Sequence, residues 1–90
     1  MKSKNNLSIT GFLASDMSVQ ASHRYGHFTL VHNFGNRKPS LFLKCAVVGE
    51  IVNTVLALGL KKGDAVSVTA YLRPDAERVE AVIKRIIRHA

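Results

Sequence analysis

The segment at positions 65–73, AVSVTAYLR, alternates apolar and polar residues almost without a break. Val66, Val68, Ala70 and Leu72 fall on one side of an extended chain, with Ser67, Thr69, Tyr71 and Arg73 on the other. Strand side chains repeat every second residue, so this is a strand with one face toward a core and one toward water. The same period recurs upstream. Leu7 and Ile9 oppose Ser8 and Thr10, and in HFTLVHNF Phe28 and Leu30 oppose Thr29 and Val31. In LFLKCAVV the odd positions Leu41, Leu43, Cys45 and Val47 make an unbroken apolar face. The even positions Phe42, Lys44, Ala46 and Val48 make a mixed one, with a lysine in its middle.

The punctuation between these runs narrows the architecture. Gly11 interrupts the first strand, which suits a bulge or a sharp bend where a strand passes between two sheets. SDMSVQASHRYG is polar and turn-rich, with room for a short irregular strand at Val19, and GNRKPS is a loop. Glu50 to Leu58 leaves period two: Ile51, Val55 and Leu58 share a helical stripe, Glu50 stands at the positive end, and Gly59 offers a left-handed stop. KKGD is a tight turn. The closing ERVEAVIKRIIRHA reads two ways. Val79, Val82, Ile83, Ile86 and Ile87 have helical spacing, with Asp75 as a cap after Pro74, whereas the β-branched content suits a strand. Periodicity alone favours the helix. Short strands, one helix and no βαβ unit predict an all-β chain: a five-stranded oligonucleotide-binding (OB) barrel with one short helix between strands three and four. The rival is an α+β sandwich with a C-terminal helix.

Ninety residues make one domain, 1–90, which buries only roughly 60–65% of its surface on folding, so self-association would add stability. Thirteen Lys and Arg against six Asp and Glu leave a net charge of +7, which favours a polyanionic partner, nucleic acid ahead of a membrane surface. The single Cys45 forms no intrachain disulfide and fits a reducing compartment. With no leader-like apolar run after the first lysines and no stretch of about 18 apolar residues, a cytoplasmic chain without a membrane partner is expected.

In an OB barrel the face carrying Phe42 and Lys44 lies outward near strand two, where such barrels bind their ligands. A ring beside a cation is the smallest reader of an unpaired strand: a base stacks on the ring and the ammonium meets a phosphate. Arg24 and Tyr25, then Phe34, Arg37 and Lys38 around the second loop, then Tyr71 and Arg73, are further candidates. Each has a plainer reading. Phe34 packs in the core or at an interface, Tyr71 covers a neighbouring subunit, and Arg37 and Lys38 solubilise a loop. Enzyme chemistry finds little footing, because there is no phosphate-cradling Gly-rich loop and no nucleophile elbow, and no cofactor is implied. His23 and His27 are spaced for a helical metal pair, but Gly26 and the turn-rich context oppose a helix and no further ligand lies near, so no metal is expected. Cys45 sits on the apolar face as a small core residue. His32 reads as a surface residue of strand two, and His89 as part of a frayed basic end.

LFLKCAVVGEIVNTVLALGLKKGDAVSVTAYLR resembles the middle of bacterial single-stranded DNA-binding proteins. Members carry an aromatic-x-basic start to strand three, an apolar run into FG with a charged residue, a helix, L-K/R-K-G, and a strand ending G-x-L. Here these positions hold Phe42 to Lys44, VVGE at 47–50, LKKGD at 60–64 and AYL at 70–72. ITGFLASD and HFTLVHN are similar to the first and second strands of the family, and VEAVIKRII to its fifth, which turns the expectation for the C-terminal segment from helix to strand. The resemblance places Phe42 where the family has a base-stacking tryptophan, in a chain without Trp, and Val48 where it has another aromatic. The loop between strands two and three, GNRKPS, and the loop PDAE between strands four and five are shorter than usual for the family, which implies fewer bound nucleotides. The basic end KRIIRHA stands where typical members continue into a linker and acidic tip, so the resemblance is to a short, tail-less form, and also to primosomal replication protein N. It implies sequence-tolerant single-stranded DNA binding in replication, recombination or repair, by a homodimer or homotetramer, on the chromosome or a mobile element. The alternative is a primosomal-type adaptor that docks replication or primosome proteins and binds DNA weakly. RNA stays open as a ligand, since OB surfaces take both.

Overall fold

The computed structural model describes residues 6–22, 24–35, 38–75 and 78–89. Its elements are β1 (Leu7–Leu13), β2 (Ser18–Val19), β3 (Tyr25–Asn33), β4 (Ser40–Val48), α1 (Glu50–Leu58), β5 (Ala65–Asp75) and β6 (Arg78–Arg88). The six strands run in the order β1-β5-β6-β4-β3-β2, and a further β1–β3 pairing closes β1, β3, β4, β5 and β6 into a barrel. All pairings are antiparallel except β4–β6, a short parallel seam at Cys45↔Ala81 and Ala46↔Val82. This is the OB fold, with its helix between β4 and β5 once the two-residue β2 at Val19 is counted.

β1 shows how the barrel closes. Residues 7–12 pair with β5, while Phe12 and Leu13 pair with Val31 and Leu30 of β3. The strand changes partner just after Gly11, where a Cβ would stand 2.3 Å from the Val31 carbonyl oxygen. The glycine is therefore a point of close backbone approach within an unbroken strand, as the bend reading requires. Inside, Phe28, Leu30, Cys45, Val47, Val66 and Val68 are sealed from water, as their alternation demands.

α1 plugs one end. Its buried face is centred on Val52 and Val55, with Ile51 and Leu58 partly covered, so the stripe is rotated slightly from the expected Ile51-Val55-Leu58. Gly59 is left-handed (φ 61°) and its N–H donates to the Leu56 carbonyl. The last turn of α1 has no cation of its own. Arg88, from the end of β6, donates from Nη1 to the Leu58 carbonyl at 2.8 Å and supplies positive charge at the negative helix end. The KKGD turn forms as expected: Asp64 accepts the Lys61 N–H at 2.9 Å, and Asp16 accepts the Lys62 N–H at 2.8 Å.

The C-terminal segment is a strand, as the resemblance implied and against its periodicity, and the reason for the mismatch is a bulge. The β5–β6 register steps from Thr69↔Arg85 to Ala70↔Ile83, leaving Lys84 unopposed. That extra residue puts Ile83 and Ile86, three apart, on the same inner face, which imitates a helical stripe. Leu72 is exposed rather than inward, because β1 leaves β5 at Leu7↔Ala70 and the β5–β6 hairpin runs on as a two-stranded ribbon. Leu41 is exposed for the same reason: β6 pairs with β4 at Cys45 and Ala46, well past the start of β4, which is paired with β3. Among the described residues, no helix is long and apolar enough to cross a membrane.

Candidate nucleic-acid interface

Directly opposed residues of an antiparallel pair point to the same face. The β3–β4 register sets Phe42 opposite Val31, Lys44 opposite Thr29 and Ser40 opposite Asn33. Cys45 and Val47 fill the barrel, so Phe42 and Lys44 point outward, as the alternation predicts. Phe42 is 66% exposed, and Lys44 is exposed one strand repeat away, roughly 6.7 Å along the chain. A ring this open offers a flat apolar surface on which a base can stack.

Phe34 follows β3 at the same end of the barrel and is 54% exposed, not packed in the core. Its ring stands edge-on to His32, centroids 4.8 Å apart. The His32 Nδ1 lies 2.6 Å from the Thr10 carbonyl oxygen, which can only accept, so Nδ1 carries the proton and the imidazole is fixed against β1. Lys38 is exposed in the turn that follows, where its N–H reaches the Gly35 carbonyl. Arg37 lies outside the described residues, as does His23 of the notional metal pair.

A second group gathers around β5 and β6. The register places Tyr71 opposite Val82 and Arg73 opposite Glu80. Arg73 Nε donates to Glu80 Oε1 at 2.6 Å; the carboxylate is 3% exposed, the only buried charged residue among those described. The guanidinium is raised above its ordinary value, first by that hydrogen bond and then by the carboxylate charge, with Tyr71 and Tyr25 adding to the effect. Tyr25 stands opposite Val48 on β4, so a half-buried aromatic neighbours the site where the resemblance leaves an aromatic out. Arg24 is exposed beside it, and its carbonyl accepts the Gly49 N–H. Between the two groups Ala46 is fully buried although it belongs to the outer face, a small side chain flanked by His27 and Val82.

The candidates thus divide. Phe42, Lys44, Phe34 and Lys38 share one end of the outer face; Arg24, Tyr25, Tyr71 and Arg73 share the other, with six residue steps along β3, roughly 20 Å, from Tyr25 to Val31. One outward aromatic escaped the sequence reading. Phe12 is 47% exposed and opposes Val31 on the side away from Phe42. The alternation that turns Ser8 and Thr10 outward carries straight on to it, and was the available signal. Cys45 has no access to solvent, and burial pushes its thiol up to about 12, which removes it as a nucleophile near neutral pH. No group of three or more His, Cys, Asp or Glu suited to a metal comes together among the described residues.

No protein-family model matches this sequence, and no curated protein matches it by sequence. Solved structures do match by fold. The mitochondrial single-stranded DNA binding protein of S. cerevisiae, Rim1, superposes with a TM-score of 0.79 at 20% identity, covering 97% of this chain and 95% of that one. The second single-stranded DNA binding protein of Mycobacterium smegmatis, SSBb, gives a TM-score of 0.79 at 20% identity over 96% of this chain and 89% of that one. The resemblance first carried by short motifs therefore holds for the fold along nearly the whole chain.

Proposed function

We propose that this protein is a single-stranded DNA-binding OB domain, a binder and not an enzyme, that holds its ligand on the outer face of β3 and β4. The observation that carries the reading is the pair Phe42 and Lys44, turned outward side by side on a chain of net charge +7. A base on the ring gains roughly 1–3 kcal/mol whatever its identity, and the ammonium contributes through the phosphate, so binding tolerates sequence. The similarity in fold to proteins described as single-stranded DNA binding supports the same ligand. Phe34 and Lys38 extend the site along the β3–β4 hairpin, Arg37, outside the described residues, is kept as a further candidate contact, and Arg24, Tyr25, Tyr71 and Arg73 contribute less. Ninety residues form the one domain. It works as a homodimer or homotetramer in the cytoplasm, in replication, recombination or repair.

Anisotropy of a labelled oligo-dT, against oligo-rU and duplex DNA at two salt concentrations, tests this. Preference for the single strand, with log affinity falling by about 0.7 per released counterion against log salt, is the expected result. Equal affinity for duplex, or binding indifferent to salt, sinks it.

The adaptor reading keeps one specific support. At the β5–β6 tip Leu72, Arg73, Pro74 and Val79 line a shallow apolar groove of about 210 Å³, away from Phe42 and of a kind that suits a side chain of a replication or primosome partner. Full DNA affinity in a Phe42→Ala, Lys44→Ala variant, with partner binding lost in Val79→Ser, would favour it.

A further inference from the structure

We infer that Phe12 is a second stacking platform for the single strand, so that the ligand crosses the barrel from β4 over β3 onto β1. The inference rests on the single-stranded reading of the preceding section. Barrel closure sets Phe42, Val31 and Phe12 in one row on three adjacent strands, all outward. Two strand spacings separate the rings, roughly 10 Å, enough for bases to lie flat on both with Val31 as floor between them. Both rings are open to water, at 66% and 47%. Gly11 allows this neighbourhood: a Cβ there would stand 2.3 Å from the Val31 carbonyl oxygen, so β1 reaches β3 and pairs Phe12 with Val31 because the side chain is absent.

The flanks of the row favour a polynucleotide over a protein. On one side lie Thr29 and Lys44, on the other Asn33 and Ser40, joined by a hydrogen bond from Ser40 Oγ to Asn33 Oδ1. The apolar part is a single residue wide, far short of the roughly 800 Å² per partner that a stable protein interface buries. Separated rings with hydroxyl, amide and ammonium groups alongside match bases that alternate with a charged backbone. None of these seven positions is acidic, and the nearby Asp16 and Asp64 carboxylates already accept the backbone N–H groups of Lys62 and Lys61.

The test uses the full chain and oligo-dT of increasing length. Phe12→Ala and Phe12→Leu should each weaken binding to long oligomers about 5- to 150-fold. The loss should fade for oligomers too short to span both rings, while the loss caused by Phe42→Ala persists. Leucine keeps the apolar bulk without a π-face, so an unchanged melting temperature in Phe12→Leu separates stacking from folding. The chain has no tryptophan, so Phe12→Trp places one reporter in the row, and its emission should be quenched by long oligo-dT. Wild-type affinity in Phe12→Leu, or an unquenched Phe12→Trp that binds normally, overturns the crossing path and leaves the Phe42 site standing. If the wild-type chain binds no single strand, both readings fall.

Discussion

Two strands of this barrel carry the same local pattern, an aromatic, any residue, then a cation, turned outward: Phe42 to Lys44 on β4 and Tyr71 to Arg73 on β5. Cross-strand neighbours make them unlike. Lys44 faces the neutral Thr29 and both members of its pair are exposed. Arg73 faces Glu80, whose buried carboxylate takes its guanidinium at 2.6 Å, and Tyr71 is half-buried opposite Val82. Period two decides which face a residue occupies. The partner strand decides which neighbour that residue meets and how deeply it is buried.

The largest expected effect follows from that difference. Removing both Phe42 and Lys44 should lower affinity for oligo-dT at low salt by more than the about 5- to 150-fold of one stacked base, since roughly 1–3 kcal/mol of stacking is joined by one phosphate contact. The melting temperature should hardly move, because exposed side chains contribute little to folding. Tyr71→Ala with Arg73→Ala should do the reverse, keeping most of the affinity and losing stability. Equal losses of affinity in the two double variants would erase the distinction.

The second pair allows a sharper variant set. Arg73→Ala alone leaves the Glu80 carboxylate buried without its donor, and a buried charge deprived of its partner is costly. The chain should therefore melt lower than Lys38→Ala, an exposed loop change worth within about 0.5 kcal/mol. Adding Glu80→Gln to Arg73→Ala should recover part of the loss, since an amide tolerates burial better than a carboxylate. No recovery in thermal unfolding would mean that Arg73 stabilises through the packing of its stem, not its charge.

How much of this was legible before folding depends on the range over which each feature is decided. The strands at 7–13, 25–33 and 40–48 and the helix at 50–58 are set by local alternation, and they stand where the pattern put them. The outward pair Phe42 and Lys44 is local as well. β6 misled the periodicity because one bulge residue, Lys84, turned a two-residue repeat into a three-residue step. The ion pair that occupies Arg73 depends on a hairpin register that joins residues seven apart, and the row that includes Phe12 exists only once β1 has crossed to β3. Local pattern announced the faces, and non-local pairing settled that Arg73 meets Glu80 and which rings became neighbours.

On β4 itself the contrast between faces becomes a pH effect. Cys45, next to Lys44, has its thiol held near 12 by burial, against an ordinary value of 9.0 in the open chain. Above pH 9 the unfolded thiol ionises while the folded one stays protonated, so the folded chain binds more protons and stability falls as pH rises toward 12. By pH 10 the loss from this group is about 1.4 kcal/mol relative to neutral pH. Urea melts at pH 8 and pH 10 should show a smaller difference for Cys45→Ala than for wild type, and the native thiol should resist alkylation at pH 8. Rapid labelling of the folded chain would mean that the inner face of β4 is open.

The smallest effect isolates charge from stacking. Lys44→Gln keeps the stem of the side chain and the neighbouring Phe42, removing only the ammonium. If that group meets one phosphate, the slope of log affinity against log salt should become shallower by about 0.7, the value for one counterion on a single strand. Arg73→Gln should leave the slope where it was, because a guanidinium held by Glu80 gives a phosphate little charge to displace counterions with. Both slopes come from the same titrations over a range of salt, and affinity at any single salt is no substitute, since a distorted site loses affinity without changing its slope. A change in the Arg73→Gln slope equal to that of Lys44→Gln would show that the carboxylate releases its partner when DNA arrives, and that the β5–β6 ribbon takes part in holding the strand.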